Sequence, residues 1–344
     1  IFCEYFKVLG SGNYVDEVHH SKTGKNILHY SNNRIDICKK YNLDEQELFE
    51  IIENSIQKLY EIRNKRIKPS KDDKILTDWN GLMIAALAQA GKTLQNDEML
   101  NFAKKSIDFV LKNLYQNKQL LHRYKDGESV INAMLDDYSF MGNALIEMFD
   151  ATFESEYLNY AIEIMDICIE KLYDKVNGGF FFAEESSELI FRKKEFYDGA
   201  YFSGNSIMIT NLLKLYSITS NVKYMEIAEH TIKNFSGSLN QMPGAYSMFV
   251  NNLFAYLKNS KELIIVDNDN DSNDLINQLN LNLLSNLTII KINDSNRQQL
   301  IQTLPQLENY NQINNQSTYY LCTNFVCNSP TNDAEKILAE LMNG

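Results

Sequence analysis

Four stretches of this sequence can be laid on one another: DWNGLMIAALAQA from Asp78, DDYSFMGNALIEM from Asp136, SGNSIMITNLLKL from Ser203 and GAYSMFVNNLFAY from Gly244. Aligned through Leu87, Leu145, Leu212 and Leu253, each opens on small or polar residues and then runs apolar on nearly every side. A helix that is apolar all round is buried all round. Segments 44–66, 97–116, 156–174 and 222–239 alternate with them and carry Lys, Glu and Asp on one face only. An amphipathic helix covers a core from outside. Since no single pair of such helices can bury its own faces, neighbouring pairs must stack. The alternation therefore predicts a mainly α fold, an α/α toroid with apolar inner helices and amphipathic outer ones. The polar starts of the inner helices then converge at one mouth, where unsatisfied helix N–H groups favour acidic side chains and polar ligands.

Working outward, Lys118–Ser129 and Asn177–Gly199 connect outer to inner helices and read as short β-hairpins walling that mouth. Upstream, residues 1–43 form an irregular arm punctuated by Gly10, Gly12, Gly24 and the run Ser31–Arg34, with a short strand expected near Asn26–His29. Asp44 and Glu47 have capping-box spacing at the start of the first amphipathic helix. Beyond Asn259, ELIIV from Glu262, a helix near Asp274–Leu283, LTIIKI from Leu287, STYYLC from Ser317 and a last helix from Asp333 suggest an α/β subdomain with a parallel pairing. The expected division is an arm at 1–43, a toroid domain at 44–259 and a C-terminal α/β subdomain at 260–344.

Composition agrees with a helical fold. Only four prolines and 14 glycines punctuate 344 residues. The net charge of -12 excludes nucleic acid as the expected partner, because a phosphate backbone requires clustered basic charge. The five cysteines are odd in number and scattered, which suggests a reducing, cytoplasmic setting rather than a disulfide framework. Cys322 and Cys327 are expected as buried thiols or a chance pair rather than zinc ligands, since no second ligand pair accompanies them. No apolar run is long enough for a membrane span. No phosphate-binding glycine loop is present, and neither cofactor nor metal is expected.

The runs ILTDWNGLMIAALAQAG, LDDYSFM, NGGFFFA with FYDGAYFSGNS, and TYYLCTNFVCNSP resemble, in order and spacing, the YyaL-type family, also called thioredoxin-domain-containing or spermatogenesis-associated proteins. The resemblance spans about residues 1–335. It implies an (α/α)6 toroid similar to N-acylglucosamine epimerases and six-hairpin glycosidases. Family members also carry an N-terminal thioredoxin-like domain with a Cys-x-x-Cys pair, which this sequence lacks, so no redox role carries over. About four of six hairpins are visible, and the chain is expected to be the C-terminal part of a longer protein. The side of the ring left open would then seek a partner, either a second copy or a thioredoxin-like domain.

The candidate chemistry sits at the helix starts. Asp78, Asp137, Asp198 and His122 are the candidate catalytic groups, because proton transfer requires acids and bases within reach of one substrate. Adjacent Asp136 and Asp137 repel, which raises a carboxyl pKa. Asp136 is expected to cap its helix and leave Asp137 free as the acid. Trp79 offers a stacking face, and Asn80, Asp136, Tyr138, Arg192, Ser203 and Asn205 are candidate binding groups. Each also has a plainer structural reading: helix caps for the aspartates and Ser203, and a solvated strand edge for Arg192. The expected ligand is a small molecule of sugar type, handled by glycosidase-like or epimerase-like chemistry. The alternative is a non-enzymatic interaction module supporting a thioredoxin-like domain.

Overall fold

The computed structural model describes residues 1–30, 33–187, 189–239, 242–267, 271–282, 284 and 286–343. Ser31, the middle of the turn after Asp267 and Leu283 lie outside the described residues. The chain divides into two compact units, Ile1–Asp72 and Asp73–Gly344.

The first unit holds α1 (Phe2–Tyr5), α2 (Arg34–Tyr41) and α3 (Glu45–Asn64). The Asp44–Glu47 capping box is formed: Glu47 N–H donates to Asp44 Oδ1 at 2.8 Å and Asp44 N–H to Glu47 Oε2 at 2.9 Å. Leu48 and Ile52 of α3 then bury against Ile37 and Cys38 of α2. The strand expected near Asn26 does not form. There, amide side chains replace a ladder: Leu9 N–H donates to Asn26 Oδ1 at 2.9 Å and Ile27 N–H to Asn13 Oδ1 at 2.7 Å.

The second unit begins with β1 (Ile75–Leu76) and runs directly into α4 (Thr77–Leu94), followed by α5 (Asp97–Asn113). Strands β2 (Tyr115–Gln116), β3 (Gln119–Lys125) and β4 (Glu128–Asn132) lead to α6 (Leu135–Thr152) and α7 (Ser155–Leu172). A long loop leads to α8 (Gly204–Thr219) and α9 (Val222–Leu239), and a 3-10 turn at Pro243–Tyr246 precedes α10 (Ser247–Leu257). Helices α4, α6, α8 and α10 are the inner layer, and α5, α7 and α9 cover them. One continuous core joins the layers, from Ile84 and Ala88 through Met141, Leu145 and Phe149 to Met208, Leu212 and Phe249. The inner helices begin within a residue or three of where their polar starts placed them. This is the expected mainly α array of toroid type.

The first expected hairpin is present as β3–β4, with β1 added antiparallel on its other side. The second is not a β-hairpin among the described residues. The described residues of 174–203 form an irregular loop, fastened by Phe182 N–H to Lys193 O at 2.8 Å and by Arg192, whose guanidinium donates to Ala183 O and lies 3.9 Å over the Phe181 ring. The side-chain clamp takes the place of a backbone ladder.

The C-terminal sheet has order β6-β5-β7-β8, from β5 (Lys261–Val266), β6 (Leu287–Ile292), β7 (Thr318–Thr323) and β8 (Val326–Cys327), with α11 (Asn273–Leu281), α12 (Arg297–Thr303) and α13 (Ala334–Asn343) around it. β5 and β6 pair in parallel across α11, as the β-α-β pattern requires, and β7 is antiparallel to β5. Ile264, Val266, Ile290 and Ile292 join the core of the helical layers. Cys322 and Cys327 correct an expectation. They are partners across β7 and β8 and form a disulfide rather than separate thiols. The two-residue turn between the strands, Asn324 and Phe325, has φ of 48° and 64°, the geometry that closes a tight hairpin and brings opposite residues together. No described helix is long and apolar enough to cross a membrane.

Candidate active site at the inner helix starts

Each seam between neighbouring inner helices is closed at its N-terminal end by one carboxylate. At the first, Asp137 accepts the N–H of Asp78 on Oδ1 at 3.1 Å and the N–H of Met134 on Oδ2 at 2.8 Å. It thereby joins the start of α4 to the start of its own α6. At the second, Asp136 rests against the backbone of Gly204, the first residue of α8, where any Cβ would collide with its carboxylate. At the third, Asp198 accepts from Ser203 N–H at 2.9 Å and Met248 N–H at 2.7 Å, joining α8 to α10. All four starts therefore lie at one end.

Asp137 also accepts from His122, whose Nδ1 lies 2.9 and 3.1 Å from its two oxygens. Because Asp137 already takes backbone N–H groups on both oxygens, it is the acceptor, and the proton belongs on Nδ1. That leaves His122 Nε2 as the nitrogen able to meet a ligand. β3 delivers His122 to this point, and Thr77 holds β3 over the start of α4 through Oγ1 to Leu121 O at 2.6 Å.

The charges here perturb one another. Burial, and then the neighbouring Asp137, push the Asp78 carboxyl above its ordinary value. Burial, with Asp78 and Asp137 adding repulsion, pushes Asp136 up to about 7. His122 is raised above its ordinary value by its hydrogen bond to Asp137, against the opposing effect of burial. A carboxyl still protonated near neutral pH, in a cluster that also holds a histidine-paired carboxylate, is a group that general acid–base chemistry can use.

The structure thus gathers Asp78, His122, Asp136 and Asp137, with the Trp79 ring 61% exposed beside them. It also reverses the expected division of labour between the two adjacent aspartates. Asp137, three residues into the helix, performs the capping, and Asp136 is left with the perturbed carboxyl. The remaining candidates are engaged elsewhere. Asp198 and Ser203 cap, and Ser206 N–H donates to Ser203 Oγ at 3.2 Å. Asn205 is buried, bonding Phe180 N–H at 2.7 Å and the carbonyls of Phe180 and Glu195. Asn80 donates to Leu76 O at 2.8 Å, Arg192 holds its loop, and Tyr138 is buried in the core. Tyr201 was missed by the sequence reading. Its hydroxyl is raised by burial and by the charges of Asp136 and Asp78, and its ring meets Phe140 edge-on at 5.9 Å. Its signal was an aromatic just ahead of the polar start of α8.

Asp78, His122 and Asp137 each offer one ligand atom, all within 4.8 Å of one another. Three N–H donors already engage Asp137, so it has little capacity for a cation, and a zinc site takes three or four protein ligands. The set fits proton transfer better than metal binding.

No family model matches the chain. It is similar to spermatogenesis-associated protein 20 of Homo sapiens, 26% identical over 324 residues that cover 90% of this chain and 41% of that protein. It is also similar to an uncharacterised protein of Caenorhabditis elegans, 27% identical over 356 residues that cover 100% of this chain and 48% of that one. These are relatives of the kind that the four motifs led us to expect. The chain spans between two fifths and half of their length. Among solved structures, it is similar to a GH76 α-mannanase of Bacteroides thetaiotaomicron, with TM-score 0.45 and 20% identity over 54% of each chain. It is similar too to cellobiose 2-epimerase of Spirochaeta thermophila, with TM-score 0.40 and 19% identity over 48% of this chain and 44% of that one.

Proposed function

We propose that the mouth is a general acid–base site acting on a neutral, hydroxyl-bearing small molecule of sugar type. The observation that carries this reading is the Asp136 carboxyl, raised to about 7 by burial and by the neighbouring Asp78 and Asp137, the second of which is paired with His122. In this reading Asp136 is the acid, Asp78 the second carboxyl and His122 Nε2 the base. Asp137 belongs to the machinery as the positioning residue that fixes the tautomer and ring of His122. Exposed Trp79 and half-exposed Tyr201 supply flat apolar faces beside polar groups, a combination suited to a sugar ring. Glycosidase-like and epimerase-like reactions both use such proton transfers. Asp198, Asn205 and Arg192 hold the mouth's loop and helix starts in place.

The test is a thermal-shift screen of neutral sugars, followed by turnover assays on any sugar that stabilises the chain. Asp136→Asn should retain binding and lose turnover by about 10²-fold or more. If no sugar stabilises the chain, or if Asp136→Asn turns over at the parent rate, the carboxylates are helix ties. The module supporting a thioredoxin-like domain then becomes the better account. Self-association is a separate proposal, supported by Met83 and Leu94 of α4, which are 61% and 64% exposed.

A further inference from the structure

The Cys322–Cys327 disulfide does little of what a structural crosslink does. Its two cysteines are five residues apart in sequence. A disulfide restricts the unfolded chain by closing a loop, and so short a loop gains least. The hairpin it spans is also held without it. At the tip, Asn324 N–H donates to Ser260 O at 3.1 Å and Phe325 N–H to Glu262 Oε2 at 3.1 Å. Behind the cysteines, Asn328 N–H donates to Leu321 O at 2.9 Å, and Tyr319 and Thr331 exchange N–H···O bonds of 2.8 and 3.1 Å. None of these bonds involves sulfur. With the S–S bond open, the two thiols would still face each other across β7 and β8.

The two sulfurs are not equivalent. Cys322 is 2% exposed on β7, which lies between β5 and β8, whereas Cys327 is exposed on the edge strand β8. Exposed disulfides are the readily reduced ones. Tyr310 Oη lies 3.4 Å from Cys327 Sγ. A disulfide sulfur carries no proton, so the hydroxyl is the donor. Burial, with Tyr320 and Glu262 adding repulsion, raises the Tyr310 hydroxyl above its ordinary value, so it keeps that proton. A hydroxyl aimed at one sulfur stabilises negative charge there once the bond has broken. Cys168 is the contrast: it is fully buried in the helical core, and burial alone pushes its thiol up.

We propose that Cys322–Cys327 is a thiol–disulfide exchange site, reduced by an external dithiol through Cys327. One thiolate of the dithiol attacks Cys327 Sγ. A mixed disulfide forms as the Cys322–Cys327 bond breaks, and Cys322 leaves as a thiolate that takes up a proton. The second thiolate of the dithiol then attacks its own first sulfur, closes the reductant's disulfide and expels Cys327. The Tyr310 O–H stabilises that thiolate until it too is protonated. Two electrons have passed to the chain, which ends with two thiols, and the dithiol ends as a disulfide. In reverse, Cys327 is the nucleophile toward an incoming disulfide and Cys322 the resolving thiol. Small and protein-borne dithiols share this chemistry.

The experiment treats the folded full chain with dithiothreitol and, separately, with reduced glutaredoxin at equal thiol concentration. The thiols are then alkylated with N-ethylmaleimide and located by peptide mass. At least one reagent should open the bond while the chain keeps its cooperative melting transition. Faster opening by glutaredoxin assigns the site to a protein dithiol, and faster opening by dithiothreitol to a small one. In the reduced chain Cys327 should be alkylated about tenfold or more faster than Cys322. Tyr310→Phe, which keeps the ring and removes the donor, should raise the midpoint pH of Cys327 alkylation by about half a pH unit or more. If neither dithiol opens the bond until the chain unfolds, if Cys322 is alkylated as fast as Cys327, or if Tyr310→Phe leaves the midpoint where it was, the exchange site is refuted.

Discussion

Gly81→Ala should destabilise the second unit by about 3 kcal/mol or more. A Cβ at Gly81 would lie 2.6 Å from the carbonyl carbon of Phe140 and 2.8 Å from Met141 N. Both are backbone atoms of α6, so no side-chain rotation relieves the clash, and α4 must move away from α6. That displacement would also pull Asp78 N–H off Asp137. Gly142→Ala is the control, because its Cβ would meet the end of a flexible side chain, Met165 Sδ at 2.8 Å. Replacing glycine within a helix otherwise gains about 1 kcal/mol. Urea unfolding should therefore show a large drop in midpoint for Gly81→Ala and a small change for Gly142→Ala. Similar midpoints for the two would remove close α4–α6 contact as the basis of the mouth.

Asp137→Ala should be as damaging, at about 3–5 kcal/mol. It leaves the N–H groups of Met134 and Asp78 without their acceptor and releases His122. Asp137→Asn is only a partial repair, since its amide nitrogen must face one of those N–H donors. The pH dependence has a definite sign. His122 is raised in the folded state, so its stabilisation is fully present below the unfolded value of about 6.5 and is lost as pH rises through the folded value. The difference in melting temperature between parent and Asp137→Ala should therefore be larger at pH 5.5 than at pH 9. A difference that grows with pH would contradict the His122–Asp137 pair.

Much of this architecture was legible before any coordinates. Asp78, Asp136 and Ser203 marked the inner helix starts because a buried apolar helix still has to satisfy its first N–H groups. The division between Asp136 and Asp137 was not legible. Adjacent residues on a helix point about 100° apart, and which of them faces a neighbouring helix depends on packing, not on composition. Asn205 and Asp198 failed to stand out as backbone ties for the same reason, since their partners Phe180 and Met248 are 25 and 50 residues away. The Cys322–Cys327 bond depended on recognising a tight turn at Asn324–Phe325, which lacks the glycine that usually marks one. The clamp of Arg192 on Phe181 likewise replaced an expected strand by a contact that no alternation of residue types announces.

The protonation state of Asp136 decides between a proton-transfer site and a set of helix ties. Carbon-13 NMR of the aspartate carboxyls, with the Asp136 signal assigned by its loss in Asp136→Asn, measures it directly. The account predicts a midpoint near pH 7, and with it a chain that loses stability from about pH 4 to pH 7 relative to Asp136→Asn, because the folded state holds a proton that the unfolded state has released. A midpoint in the ordinary aspartate range, about pH 4, would contradict it.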